Sequence, residues 1–124
     1  MRIKDKEVVI KLKGQTYHCA MDVTMDFIGG KWKTIVLWYL RNDKKRFAEI
    51  RKLVPQMTER MLSITLKQLE ADGLIIRKVH ASKPPLKVEY SLSEFGKTLI
   101  PLLNAVAKWG RELAETQGKI VEVK

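Results

Sequence analysis

At 124 residues the chain has room for one domain with a buried core and little for a second. Hydrophobic residues at 45% and charged residues at 31% exclude a disordered tail, no apolar run nears the roughly 20 residues of a membrane span, and the single cysteine, Cys19, excludes an internal disulfide framework. The balance of 24 Lys and Arg against 14 Asp and Glu leaves +10, which turns attention to polyanionic partners.

The opening segment MRIKDKEVV has no apolar leader core, so the expected compartment is the cytoplasm and no membrane partner is expected. EVVIKLKGQTYH reads as a short strand or hairpin with Gly14 in the turn. Met21, Met25 and Ile28 then share one helical face, and Gly29-Gly30 ends that run. In KWKTIVLWYL, Trp32, Ile35, Val36, Tyr39 and Leu40 make the stripe of a second helix. Phe47, Ile50 and Leu53 predict a short third helix that stops before Pro55.

A fourth helix is predicted over 58–72, capped by the Thr58 hydroxyl, with Glu59 at the positive end of its dipole and Gly73 as its left-handed stop. Leu62, Leu66 and Leu69 form its buried stripe, and Arg60, Met61, Ser63, Ile64, Lys67, Gln68 and Ala71 lie on the other side. LIIRKVH and KVEYSLS read as two strands, with Pro84-Pro85 at the tip of their connection. In the second, Val88, Tyr90 and Leu92 alternate with Glu89 and Ser91. Ser93 is the expected cap of a long last helix over 93–118, along which Leu99, Leu102, Leu103, Val106, Trp109 and Leu113 share one side.

The charge is concentrated on either side of helix 58–72. Residues 41–60 carry Arg41, Lys44, Lys45, Arg46, Arg51, Lys52 and Arg60 against Asp43, Glu49 and Glu59, and residues 77–87 carry Arg77, Lys78, Lys83 and Lys87 with no acid. Two short helices joined by a brief turn, followed by a basic strand pair, predict a mainly α fold with a small antiparallel hairpin (α+β), a winged helix-turn-helix in a single domain. A major groove about 12 Å wide admits one helix. Thr58, Arg60, Met61, Ser63, Ile64, Lys67 and Gln68 are the expected base-reading residues of helix 58–72. Lys44, Lys45, Arg46, Arg77, Lys78, Lys83 and Lys87 are the expected backbone contacts, with the wing at 77–90 on the backbone or minor groove. The partner is then double-stranded DNA.

Other classes fare worse. His18 and His80 have no Cys/His/Asp spacing for a metal, FIGGKWK lacks the spacing of a phosphate loop, and no nucleophile–base pair is evident, so neither catalysis nor a cofactor is expected. A winged helix can also serve as a protein-interaction or RNA-binding module. RNA would favour exposed aromatics, whereas Trp32, Trp38, Tyr39, Phe47, Tyr90 and Trp109 mostly fall on apolar stripes.

Several motifs together resemble the HxlR family of bacterial transcription regulators, winged-helix proteins related to the MarR group. They are Ile28-Gly29-Gly30-Lys31-Trp32-Lys33, Arg46-Phe47 with Leu53, Leu69-Glu70-Ala71-Asp72-Gly73-Leu74, Pro84-Pro85 and Val88-Glu89-Tyr90-Ser91-Leu92, within roughly residues 19–110. The resemblance implies a homodimer on a pseudo-palindromic operator, acting as a repressor, with subunit contacts from the N-terminal segment and the last helix. Met21, Met25, Ile28, Leu102, Val106, Trp109 and Leu113 supply apolar surface suited to that contact. It also implies an effector, either a small molecule or an oxidant acting at Cys19 before the first helix, although Ala20 stands where the family often has proline. A thiol there is favoured as thiolate by the helix dipole; the bland reading is a small buried hydrophobe.

Overall fold

The structure, a computed structural model, describes residues 1–81 and 83–123. Two hairpins open the chain. β1 (Arg2–Ile3) pairs with β2 (Lys6–Glu7), and β3 (Ile10–Leu12) with β4 (Gln15–Tyr17), both antiparallel. Each turn has two residues at positive φ, Lys4-Asp5 and Lys13-Gly14, which matches the twist of the flanking strands. Only the second was expected, because Lys4-Asp5 lacks the usual Asn or Gly signal. Tyr17 is buried, and its phenol donates to Asp26 Oδ2 at 2.6 Å. The hydrogen bond to that carboxylate, with burial and its negative charge, pushes the phenol pKa up to about 12, so the phenol remains a donor to Asp26 well above the pH at which a free tyrosine ionises.

α1 (Ala20–Ile28) and α2 (Lys31–Leu40) meet at Gly29-Gly30, where Gly30 has φ +82°. The Thr34 hydroxyl donates to Ile28 O at 2.8 Å, folding the start of α2 over the end of α1. α2 is the central helix. It touches α3, α4, β6 and α6, so it is apolar around most of its circumference. Its buried line is Val36, Leu37 and Leu40, rotated from the expected stripe; Trp32, Ile35 and Tyr39 are half-buried at its edge.

α3 (Phe47–Leu53) and α4 (Glu59–Ala71) form the helix-turn-helix. Glu49 accepts from the Arg46 N–H at 2.9 Å to start α3. Thr58 Oγ1 accepts from the Met61 N–H at 3.0 Å to start α4, as its sequence position suggested. Val54 and Met57 are buried within the intervening turn, and the Arg51 guanidinium donates to Met57 O, so the angle between the helices is pinned from inside. Leu53, by contrast, is exposed. Leu62, Leu66 and Leu69 bury as expected, and Gly73 takes φ +77° to end α4.

β5 (Ile75–Val79) and β6 (Val88–Leu92) pair antiparallel, Arg77 opposite Tyr90 and Lys78 opposite Glu89. Lys45 adds a third strand position: its N–H and O exchange hydrogen bonds with Tyr90 at 2.9 and 2.8 Å. Because the sheet is covered on both sides in part, residues 88–91 are all half-buried rather than cleanly alternating, and only Leu92 is buried.

The expected single last helix is two. Ser93 caps α5 (Glu94–Lys97), and α6 (Ile100–Gln117) starts anew with Pro101 in its first turn. Proline has no N–H to give to the carbonyl four residues back, so a helix cannot run on through Pro101 unbroken, whereas in the first turn of a new helix that N–H is not needed. Of α6, only Leu103 is buried. A cavity of about 440 Å³ remains between α2, the turn after α3, and α6, lined by Trp32, Trp38, Tyr39, Leu53, Leu103 and Val106 among others.

Candidate nucleic-acid interface

α4 offers an outer face that the core does not use. Arg60, Met61, Ile64, Lys67 and Gln68 are exposed and Ser63 is half-buried. At about 100° per residue this face divides. Arg60, Ile64 and Ala71 form its crest, Met61 and Gln68 one flank, and Ser63, Lys67 and Glu70 the flank toward the wing. Thr58 serves first as the cap, its oxygen taken by the Met61 N–H.

In the wing, side chains alternate between faces, so the neighbours Arg77 and Lys78 point opposite ways. Arg77 shares its face with Tyr90 and, by the bridge, with Lys45, on the side of Ile75 and Leu92, which are buried. Lys78 shares the other with Glu89, whose carboxylate also receives Lys44 Nζ at 3.7 Å and His80 Nε2. Lys44 is therefore partnered within the chain, though an exposed pair of this kind is worth only about 0–1 kcal/mol and exchanges readily. Lys83 and Lys87 are exposed in the connection between the strands, and Arg46 is exposed beside the first turn of α3. Arg41 is committed elsewhere: its guanidinium lies 3.3 Å from the Trp38 ring centre and donates to Trp38 O at 2.8 Å.

The structure also brings together residues that sequence reasoning did not connect. Glu70 and Tyr90 line a cleft of about 300 Å³ with Ser63, Leu66, Lys67 and Arg77. Tyr90 was expected in the core and Glu70 had no role. Only the register that sets Arg77 against Tyr90 and docks β5 along α4 joins them.

The residues expected at a subunit contact fall into two groups. Met21 and Met25 on α1, and Leu102, Val106, Trp109 and Leu113 on α6, are exposed, Trp109 to 67%. Ile28 differs: at 5% exposure it belongs to its own chain's core, because α2 turns back over the end of α1 and covers it. Cys19 is half-buried at the N-cap of α1 in extended geometry, and its side chain makes no capping hydrogen bond. Among the described residues, no helix is long and apolar enough to cross a membrane.

This arrangement of turn-linked helices, a two-stranded wing bridged by Lys45 and basic surroundings defines a winged helix-turn-helix protein. The profile of the HxlR-like helix-turn-helix family matches residues 27–118, and the chain belongs to that family. The HTH-type transcriptional regulator YdeP of Bacillus subtilis (strain 168) is 49% identical over 102 residues, covering 82% of this chain and 79% of that protein. Among solved structures, the redox regulator HypR in its reduced form is 44% identical with a TM-score of 0.75, over 78% of this chain and 95% of that one. The reduced form of the transcriptional regulator YodB from B. subtilis is 30% identical with a TM-score of 0.65, over 78% of this chain and 95% of that one. The chain is thus a transcriptional regulator of the helix-turn-helix type, in a family of regulators rather than enzymes.

Proposed function

We propose that the chain acts in the cytoplasm as a homodimeric, sequence-specific double-stranded DNA-binding repressor. α4 enters the major groove, and the wing rests on the backbone or minor groove of a pseudo-palindromic operator. The observation that carries this reading is the outer face of α4: Arg60, Lys67 and Gln68 are exposed and Ser63 half-buried around Ile64, on a helix whose opposite side, Leu62, Leu66 and Leu69, is buried, with Arg60 free of ion pairs among the described residues. A helix anchored this firmly presents its outer side chains with little loss of freedom on docking. Thr58, Arg60, Met61, Ile64 and Gln68 meet base edges, with Ser63 and Lys67 beside them. Lys44, Lys45, Arg46, Arg77, Lys78, Lys83 and Lys87 meet phosphates. Exposed Met21, Met25, Leu102, Val106, Trp109 and Leu113 supply the subunit contact.

Arg60→Ala is expected to lose about 1–3 kcal/mol of preference for the operator over a scrambled duplex, as for any side chain that reads one base pair. Anisotropy titrations on the two duplexes measure this. Equal affinities of variant and wild type for the operator mean that Arg60 reads nothing.

The second element of the reading is an oxidant effector acting through Cys19. Its support is the position at a helix N-terminus and the similarity to HypR and YodB, the first named as a redox regulator. Cys19→Ser is expected to abolish any loss of DNA binding on treatment with peroxide or quinone while leaving binding of the reduced protein unchanged. A response that survives in this variant removes the sensor role. A small-molecule effector, if one acts instead, has its natural seat in the aromatic-lined cavity between α2 and α6.

A further inference from the structure

We propose that the cleft between α4 and β5, formed by Ser63, Lys67, Arg77 and Tyr90, is a seat for one phosphodiester of the duplex backbone, and that Glu70 at its rim holds the affinity of this seat down. The proposal rests on the reading of the chain as a duplex-binding regulator and assigns to Ser63 and Lys67 a different task from base reading.

The chemistry of the donor set argues for an anion. Ser63 and Lys67 stand at i and i+4 on α4, so their side chains emerge on one side of it. Arg77 comes from a different element, on the sheet face that it shares with Tyr90. Two cations, a hydroxyl and a phenol thus open into one cleft of about 300 Å³, with Leu66 as part of its lining. Among the described residues, none of the side chains of Ser63, Lys67, Arg77 and Tyr90 takes part in an ion pair or hydrogen bond within the chain. Lys44 differs, since Glu89 answers it. A guanidinium offers several donors in a fixed fork and suits a phosphate better than a point charge alone.

The position matters as much as the composition. Ser63 and Lys67 lie toward the wing, away from the crest formed by Arg60 and Ile64. When the crest faces base edges, the wing-side flank faces the strand that borders the groove. A phosphate held there fixes how deeply α4 sits and carries no sequence information. Glu70, about one turn beyond Lys67 and two beyond Ser63, brings a like charge to the incoming phosphate. It opposes binding without opposing the fold, because it too makes no ion pair among the described residues.

The test uses the full chain, a random-sequence duplex and the operator duplex, titrated by anisotropy across a range of salt. Lys67→Ala and Arg77→Ala are each expected to weaken both duplexes by the same factor and to reduce the slope of log affinity against log salt by about 1. Glu70→Gln is expected to tighten both duplexes several-fold, a gain that damage to the fold cannot mimic. Replacing the buffer anion with inorganic phosphate at matched ionic strength is expected to leave wild-type affinity unchanged. Unchanged slopes in Lys67→Ala and Arg77→Ala, or no gain in Glu70→Gln, overturn the proposal while salt-dependent wild-type binding still upholds the broader reading. A loss confined to one base position overturns it too and returns Lys67 to base reading. Competition by inorganic phosphate against wild type but not against Arg77→Ala shows a free-anion site instead. A wild-type chain with no salt-dependent duplex binding removes the broader reading and the seat together.

Discussion

Wild-type binding to duplex DNA is expected to weaken about a thousandfold or more when salt is raised from about 50 to 200 mM. Each phosphate neutralised by a lysine or arginine releases counterions, and the logarithm of affinity falls with a slope of about −0.9 per contact on B-form DNA. Lys45, Arg46, Lys67, Arg77, Lys78, Lys83 and Lys87 are available in each subunit, and among the described residues none of them is held in an ion pair. Six contacts in the dimer already give a slope of about −5. A thousandfold loss is about 4 kcal/mol, more than any single side-chain contact supplies. Anisotropy at several salt concentrations reads it directly. A protein-interaction module with the same fold has far less salt dependence, so a shallow slope favours that alternative.

Leu69→Ala is expected to cost about 2–5 kcal/mol of folding stability. Leu69 is fully buried in the cluster that joins α4 to α2 and to the start of the wing. Truncation leaves a cavity where α2, α4 and β5 meet, and rigid helices collapse into such a gap only partly. With total stability of a domain at about 5–15 kcal/mol, the loss is a large fraction. Urea denaturation is expected to show a lower midpoint with an unchanged slope, and DNA affinity is expected to fall only through the unfolded fraction. Gln68→Ala, next in sequence but exposed, is the control and is expected to stay within about 0.5 kcal/mol. A Leu69→Ala midpoint close to wild type contradicts the account of how α4 is anchored.

How far these residues spoke for themselves before the fold was known differs by element. The helix-turn-helix was legible because local chemistry decides it: the Thr58 cap, three leucines at helical spacing and the left-handed Gly73 all act within a few residues. Lys13-Gly14 announced its hairpin, but Lys4-Asp5 makes the same turn without the usual residues. Ile28 shares a helical face with Met21 and Met25, yet the Gly30 bend carries α2 over it alone, a tertiary event that periodicity cannot register. Leu37 was missed on α2 because a helix packed on several sides has no single stripe. Pro101 was present to be read, but proline both breaks helices and starts them, and only the α5–α6 junction shows which it does here.

The interface divides in the same way. That α4 and the wing carry free cations follows from composition and spacing. Which cation faces which groove follows from strand register: Arg77 and Lys78 are neighbours in sequence, yet one opens toward α4 and the other toward Glu89. Tyr90 and Glu70 enter the cleft only through the docking of β5 along α4. Relatives at 49% and 44% identity support the family and the fold, while the operator and the sign of regulation rest on the proposal.

The most direct measurement is recovery of the fragments of the host's own DNA that the full chain retains, followed by footprinting on them. A shared sequence with two inverted half-sites about 34 Å apart, one helical turn, each protected in the major groove, is the predicted result. Fragments with no common sequence, or protection of a single half-site without symmetry, contradict a homodimer that reads DNA through α4.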